Sequence, residues 1–177
     1  MTEIIVIGDT RDCGLERLIT DTLSATYRII YIKGDRLYEA GKGYELVVFD
    51  NCSPRLRGMN APIVAAKKNA VLPDELPRGS TVIFNADDCR QLGAVSRSGA
   101  FAVDCGISPT STVSFSGKSD DTLMISLNRS LHALSGREIQ PLEIPVPKRG
   151  EDDYTLMSFT ALRLLLDDFE SELGELI

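Results

Sequence analysis

The sequence has no tryptophan, one histidine and no long apolar run, and these shortages narrow the kind of protein that it encodes. No apolar stretch approaches the roughly 18 residues that a membrane-spanning helix requires. The chain opens with Met1, Thr2 and Glu3 and then enters an apolar strand, a pattern unlike that of a signal peptide. We therefore expect a cytoplasmic protein that has no membrane partner.

Basic residues are also scarce, since 19 Lys and Arg stand against 26 Asp and Glu, a formal net charge of −7. Nucleic acids and anionic membrane surfaces attract proteins through a positive field. The excess of acid therefore predicts that neither is a partner. With ordinary apolar content, the 177 residues predict a single domain, 1–177, whose core is large enough to be stable alone.

Four cysteines are too few for a disulfide scaffold, and none forms the close C-x₂₋₄-C pair of a structural zinc site. Each one nevertheless follows a predicted strand by a few residues. In a parallel sheet such positions share one edge, where thiolates would be able to bind zinc or an iron–sulfur cluster. The alternative is that they are small buried hydrophobic residues. The four are Cys13, Cys52, Cys89 and Cys105.

Short apolar runs alternate with helical patterns, which predicts a three-layer α/β domain with a mainly parallel sheet flanked by helices. One helix is predicted where Leu15, Leu18, Ile19 and Leu23 recur at helical spacing, and a short helix begins near Cys89. Residues 33–43 are predicted as a loop. The predicted strands are residues 3–8, 27–32, 45–50, 61–66, 81–85 and 100–104.

Residues 107–147 predict a small antiparallel β appendage. An alternative for residues 119–135 is a helix that Ser119 would cap and Gly136 would end. His132, which has no partner at catalytic spacing, is predicted to lie on the surface of this sheet. The last element, residues 152–173, predicts an amphipathic helix with a broad apolar face, which packs on the sheet or partly on another subunit or protein partner.

The turn after the first strand is the frame of a phosphate site, but its residues do not fit a P-loop. That loop has the order G-x-x-x-x-G-K-[ST]. Here Gly8 and Gly14 are one residue too far apart, and Leu15 and Glu16 occupy the positions of the lysine and hydroxyl. The residues that would contact a nucleotide here are Gly8, Asp9, Thr10, Arg11 and Gly14.

Acidic side chains in this turn also oppose a triphosphate. Asp9, Asp12 and Glu16 put negative charge where the phosphates would lie, and Arg11 offsets only part of it. At an effective dielectric near 20, like charges about 4 Å apart repel by roughly 4 kcal/mol, enough to erase millimolar affinity. The sequence therefore predicts that ATP is not hydrolysed in the conventional way.

Further polar residues follow other strands of the sheet. Asn85, Asp87 and Asp88 follow the strand 81–85, at the edge where open α/β sheets bind ligands. The alternative for the two aspartates is that they cap the helix near Cys89. Asp50 ends another strand, where it is either a ligand residue or a polar strand end. Lys67 and Lys68, at the end of the strand 61–66, are predicted as a solvated terminus.

The segment LPRGSTVIFNADD, residues 76–88, resembles the central domain of Mur ligases, the ATP-dependent amide ligases of peptidoglycan synthesis. The resemblance extends over residues 1–168 with large deletions. It implies ATP and magnesium as cofactors, with Asp50 in the place of an acid that helps to hold magnesium. It also favours strands over a helix for residues 119–135. The run YELVVFD, residues 44–50, resembles more weakly the phospho-acceptor strand of response-regulator receivers.

The chain departs from the Mur ligase pattern at two nucleotide contacts. The first loop lacks its Lys, and the motif at Gly150 keeps the Gly but has lost the His and both Asn. The resemblance therefore implies a non-catalytic binding or interaction protein. One alternative is a nucleotide- or magnesium-dependent enzyme with residual activity that uses Asp50, Asn85, Asp87 and Asp88. The other is a metal-binding module that uses the four cysteines.

Overall fold

The computed structural model describes residues 1–52 and 62–169. The chain divides into two compact units, Met1–Asp104 and Cys105–Ile177. The expectation of one domain stays a prediction. Within the described residues, no helix has both the length and the apolar character that crossing a membrane requires.

The first unit is an α/β sheet with the predicted mainly parallel pairing. In β1, β2, β4, β5 and β6 every described pairing is parallel, and β3 runs antiparallel to β2. The strand order is β7-β6-β5-β1-β4-β2-β3. The elements are β1 (Thr2–Ile7), α1 (Gly14–Leu23), β2 (Tyr27–Lys33), β3 (Arg36–Ala40), β4 (Tyr44–Asn51), β5 (Ile63–Ala66), β6 (Thr81–Asn85), α2 (Cys89–Ser98) and β7 (Phe101–Cys105).

The two helices of this unit lie on opposite faces of the sheet. Side chains alternate between faces along a strand, so Ile5 and Ile7 point to the face opposite Val6. Ile5 and Ile7 belong to the apolar cluster that Val95 of α2 joins. Val6 shares its face with Lys33 of β2, which pairs with Glu16 of α1. The three-layer arrangement is therefore confirmed in this unit.

One element of this unit contradicts the sequence prediction. Residues 33–43 were expected to form a loop, but β3 makes a hairpin with β2 through the turn at Gly34. Gly34 has φ 59°, a left-handed conformation that glycine adopts at little cost. The strand was missed because its half-exposed sequence RLYEA is polar at the sheet edge and lacks a continuous apolar run.

The second unit contains the antiparallel strands expected in residues 107–147. Strands β9, β8 and β12 pair antiparallel with β9 in the middle, and β10 pairs antiparallel with β11. Residues 119–135 therefore contain strands, and the helical alternative is wrong. His132 is exposed on β10, as expected. The elements are β8 (Val113–Lys118), β9 (Thr122–Leu127), β10 (Leu131–His132), β11 (Glu138–Ile139), β12 (Leu142–Pro147) and α3 (Asp153–Leu166).

The last helix is shorter than its sequence pattern suggested. It was expected to reach residue 173, but it ends at Leu166 because Asp167 adopts a left-handed conformation with φ 62°. The backbone N–H of Asp167 then bonds to the carbonyl oxygens of Arg163 and Leu164. Residues 170–173 lie outside the described part of the chain. The broad apolar face is confirmed, and α3 packs on β8, β9 and β10.

The N-terminal cap of α3 provides a test of this packing. Asp152 accepts hydrogen bonds from the backbone N–H groups of Tyr154 and Thr155 and from the Thr155 hydroxyl. We expect Asp152→Ala to lower the free energy of unfolding by about 1 kcal/mol, the usual value of such a cap. Urea unfolding followed by circular dichroism measures the change. Asp120→Ala, which removes an exposed carboxylate from the turn before β9, is the control, and an equal loss in both variants would contradict the assignment.

Candidate functional site

Three strand ends meet at one point of the carboxyl edge of the sheet. β1 lies between β4 and β5, with Val6 beside Asp50 on one side and Ile7 beside Ala66 on the other. The turn that follows β1 is therefore flanked by the end of β4 and by Lys67, the residue after β5. This is the place where the sequence predicted nucleotide contacts.

Lys67 is the centre of this site, although the sequence predicted a solvated side chain. Only 5% of Lys67 and 1% of Asp50 are exposed to solvent. The Lys67 Nζ lies 3.1 Å from both carboxylate oxygens of Asp50. It also donates to the carbonyl oxygens of Asp9, at 2.9 Å, and Asp12, at 2.7 Å. The prediction for Lys67 was wrong because its partners come from other segments, whereas the prediction of an exposed Lys68 is confirmed.

Gly8 allows the Lys67 side chain to enter the site. Its φ is 145°, and a Cβ atom built on it would lie 2.7 Å from the Cβ of Lys67. Real Cβ atoms do not approach so closely, so any larger residue would displace the lysine stem. The backbone here is fixed on both sides, because Gly8 N–H donates to Asn51 and Lys67 N–H donates to Ile7.

A buried tyrosine completes the surroundings of Asp50. The Tyr31 hydroxyl donates to Asp50 Oδ2 at 3.1 Å. Burial raises the pKa of Tyr31 well above its ordinary value, and the neighbouring Asp50 charge raises it further. Burial also raises the pKa of Asp50, while Lys67 and Tyr31 oppose that rise. Asp50 is therefore a core residue with two internal partners, which contradicts its interpretation as a plain polar strand end.

A second polar cluster lies beside the first, between α1 and the β2–β3 hairpin. The ammonium of Lys33 pairs with the carboxylate of Glu16 and lies 3.1 Å from the Cys13 sulfur. The Tyr38 hydroxyl donates to Glu16 at 2.6 Å, and the rings of Tyr38 and Tyr31 stack with centroids 5.1 Å apart. The sequence did not suggest this cluster, because Lys33 and Tyr38 were placed in a loop.

Burial acts to raise the pKa of Glu16, but the hydrogen bonds from Lys33 and Tyr38 outweigh it and leave this pKa below its ordinary value of 4.5. The carboxylate is therefore held in its charged form, and it ties the first turn of α1 to β2 and β3.

The turn after β1 is closed by its own carboxylates. The Asp9 carboxylate accepts from the backbone N–H of Arg11 at 2.9 Å and from its guanidinium at 2.8 Å. The Asp12 carboxylate accepts from the backbone N–H of Gly14 at 3.1 Å. Hydrogen bonds from Arg11 lower the pKa of Asp9 to about 2. Backbone amides that a P-loop would turn toward phosphate here bind acidic side chains of the same turn.

The polar residues after β6 have structural roles. The Asp88 carboxylate accepts from the N–H of Arg90 and caps α2, which confirms the capping interpretation for Asp88. Asn85 accepts from the N–H of Asp87 and donates to the carbonyl of Lys68. Asp87 itself is exposed, whereas Asn85 is buried.

Gln91, which the sequence did not single out, joins this turn to β5. Its side-chain oxygen accepts from the N–H of Asn85 at 2.9 Å. Its amide nitrogen donates to the carbonyls of Lys67, at 3.0 Å, and Ala70, at 3.1 Å. Gln91 is only 1% exposed, so α2 fixes the backbone that carries Lys67. Its position in an amphipathic helix, next to the apolar stripe, gave no signal of this role.

The cysteines do not form the shared metal site that was one hypothesis. Across residues 1–52 and 62–169, no three His, Cys, Asp or Glu side chains are grouped as a metal ion requires. Cys52 and Cys89 are exposed, Cys13 is half-buried, and Cys105 is fully buried. Only Cys105 therefore fits the alternative of a small buried hydrophobic residue.

Comparisons with known proteins leave the family open. No family model and no curated protein matches the chain. The Mur ligase resemblance therefore rests on the residues quoted for it, and the function has to be inferred from the site.

The close approach at Gly8 is testable. Gly8→Ala should lower the free energy of unfolding by about 3 kcal/mol or more, because backbone strain and overpacking cost roughly 1–3 kcal/mol each. Gly34→Ala is the matched control, since Gly34 also has positive φ but has no neighbouring atom within 4 Å of the added Cβ. Denaturant titration of both variants gives the comparison. Equal losses would show that Lys67 does not restrict position 8.

The charge of Glu16 predicts a dependence on acid pH. Its folded-state pKa lies below the unfolded value, so its stabilisation is present above the unfolded pKa and is lost as pH falls through the folded pKa. Glu16→Gln should therefore reduce the unfolding free energy at pH 7 by about 1–3 kcal/mol, as expected for a part-buried charged hydrogen bond. The difference from wild type should shrink below pH 4.5, the ordinary value for Glu.

Urea unfolding between pH 3 and 7 measures this difference. Glu39→Gln removes the more exposed ion pair with Arg28 and should have a smaller effect. A Glu16→Gln deficit that stays constant down to the lowest pH would contradict the assigned role of the carboxylate.

Proposed function

We propose that this chain is a non-catalytic binding or interaction protein built on a shortened scaffold of the Mur ligase central-domain type. One observation carries the proposal. The turn after β1, where such a ligase would hold nucleotide phosphates, binds an internal cation and its own carboxylates instead.

The cation in this place is committed to the protein. Lys67 follows a neighbouring strand rather than the turn itself, and it directs its three N–H donors at four oxygen atoms. Its charge is balanced by the buried Asp50. A phosphate group that recruited Lys67 would leave the Asp50 carboxylate buried without its partner, which costs several kcal/mol.

The backbone of the turn also points the wrong way for a phosphate. Anion sites at helix N-termini present N–H groups to the ligand. In this turn the carbonyl groups of Asp9 and Asp12 point inward to Lys67, while the N–H groups of Arg11 and Gly14 bind carboxylates. An incoming anion would have to displace Asp9 and Asp12 from these donors.

The remaining candidates for a magnesium or nucleotide site are also engaged. Asp50 is bonded to Lys67 and Tyr31, Asn85 to the Asp87 and Lys68 backbone, and Asp88 to the first turn of α2. An enzyme that used them would need these contacts to open. This arrangement supports binding without catalysis over a residual ligase activity.

Titration with Mg-ATP tests the proposal directly. Isothermal titration calorimetry of the purified protein should show no saturable binding tighter than about 1 mM, which corresponds to roughly −4.1 kcal/mol. The physical reason is the occupied turn. Tighter binding that is lost in Gly8→Ala, where the turn is distorted, would contradict the proposal and favour the enzyme.

A partner is the positive expectation. Tagged wild-type protein, used to capture proteins from the native cell extract, should retain a partner that also forms a complex with the purified protein in gel filtration. Enzymatic turnover of a nucleotide by the captured material that depends on Asp50 would count against a non-catalytic role.

A further inference from the structure

We infer that Asp9, Asp12 and Asp50 form an oxygen cage for a monovalent cation, and that the ammonium group of Lys67 is its built-in occupant. The inference concerns the ligand chemistry of the cage and does not depend on the Mur ligase resemblance or on the proposed function. Its basis is the donor set, the charge and the path by which the lysine enters.

The donor set consists only of oxygen atoms. The backbone carbonyls of Asp9 and Asp12 lie 2.9 and 2.7 Å from the Lys67 nitrogen, and both Asp50 carboxylate oxygens lie at 3.1 Å. These oxygens come from two separate segments, the turn after β1 and the end of β4. Two carbonyls that converge on one point repel each other unless a cation lies between them. The turn therefore holds this shape because a positive charge occupies its centre.

The charge and size of the cage favour a monovalent cation. Asp50 supplies one negative charge and the two carbonyls supply none, so one positive charge balances the site. The spacing of 2.7–3.1 Å around the centre matches an ammonium group. Magnesium requires oxygen atoms at about 2.0–2.1 Å in near-ideal octahedral geometry, which this cage does not offer.

The entry path suits an unbranched alkylammonium. The lysine stem passes over Gly8, whose added Cβ would lie 3.0 Å from Cδ and 3.1 Å from Cγ of Lys67. No side chain of residue 8 obstructs this path. Lys67→Ala removes Cγ, Cδ, Cε and Nζ, which are together the atoms of n-propylammonium.

Chemical rescue tests the cage. Lys67→Ala should unfold at a lower temperature than wild type, because it leaves Asp50 buried without a cation. Saturable addition of n-propylammonium chloride should recover several degrees of this loss, and potassium chloride a smaller part. Tetramethylammonium chloride at equal ionic strength, which is too bulky for the cage, should recover none. Differential scanning fluorimetry measures all three salts against wild type, which should show no such selectivity.

A second variant separates the cage from general salt effects. Lys67→Ala combined with Asp50→Ala lacks the carboxylate and should lose the preference for propylammonium. An equal response of Lys67→Ala to all three salts would overturn the inference. If Lys67→Ala folds only with propylammonium, the inference is supported, and if it folds in none of the salts, the inference is contradicted.

The wild-type protein offers an independent measurement. A caged ammonium exchanges its protons slowly, so the Lys67 Nζ group should give a ¹H–¹⁵N signal at pH 7 that the exposed Lys68 does not give. Lys67→Arg identifies the signal by its loss. An exchange rate for Lys67 as fast as that of Lys68 would overturn the inference.

Discussion

The buried ion pair between Lys67 and Asp50 is the constraint on which the carboxyl edge of the sheet depends. Removing an ammonium or a carboxylate from water costs several kcal/mol, even after the surroundings relax. The pair persists because every donor of Lys67 has an oxygen partner and Tyr31 also binds Asp50. The need to satisfy these two charges explains the inward carbonyls of the turn after β1 and the glycine at position 8.

The same constraint links the local chemistry of the site to the proposed function. A loop that supplies its own carboxylates to its amides and its carbonyls to an internal cation has little left to offer a nucleotide. Its rigidity comes from outside as well, because Gln91 of α2 holds the backbone around Lys67, and Glu16 holds α1 against β2 and β3. The edge thus behaves as a fixed polar core, which suits a protein that binds partners without chemistry.

The sequence predicted the regular elements well where one physical signal dominated. Continuous apolar runs such as Thr81–Asn85 gave the buried parallel strands, and alternation gave the antiparallel strands of the second unit. Prediction failed where the signal was mixed. The hairpin strand β3 is half-exposed and polar, and α3 ends at a left-handed Asp167 that no glycine or proline announces.

By itself, the sequence determined the class of fold, the acid-rich turn without a P-loop lysine, and the cap that Asp88 places on α2. Each of these depends on residues close together in the chain. Only the tertiary structure decided that Lys67 would leave solvent and join Asp50, 17 positions away. That contact requires β1 to lie between β4 and β5, and strand order is set by long-range packing that local patterns do not encode.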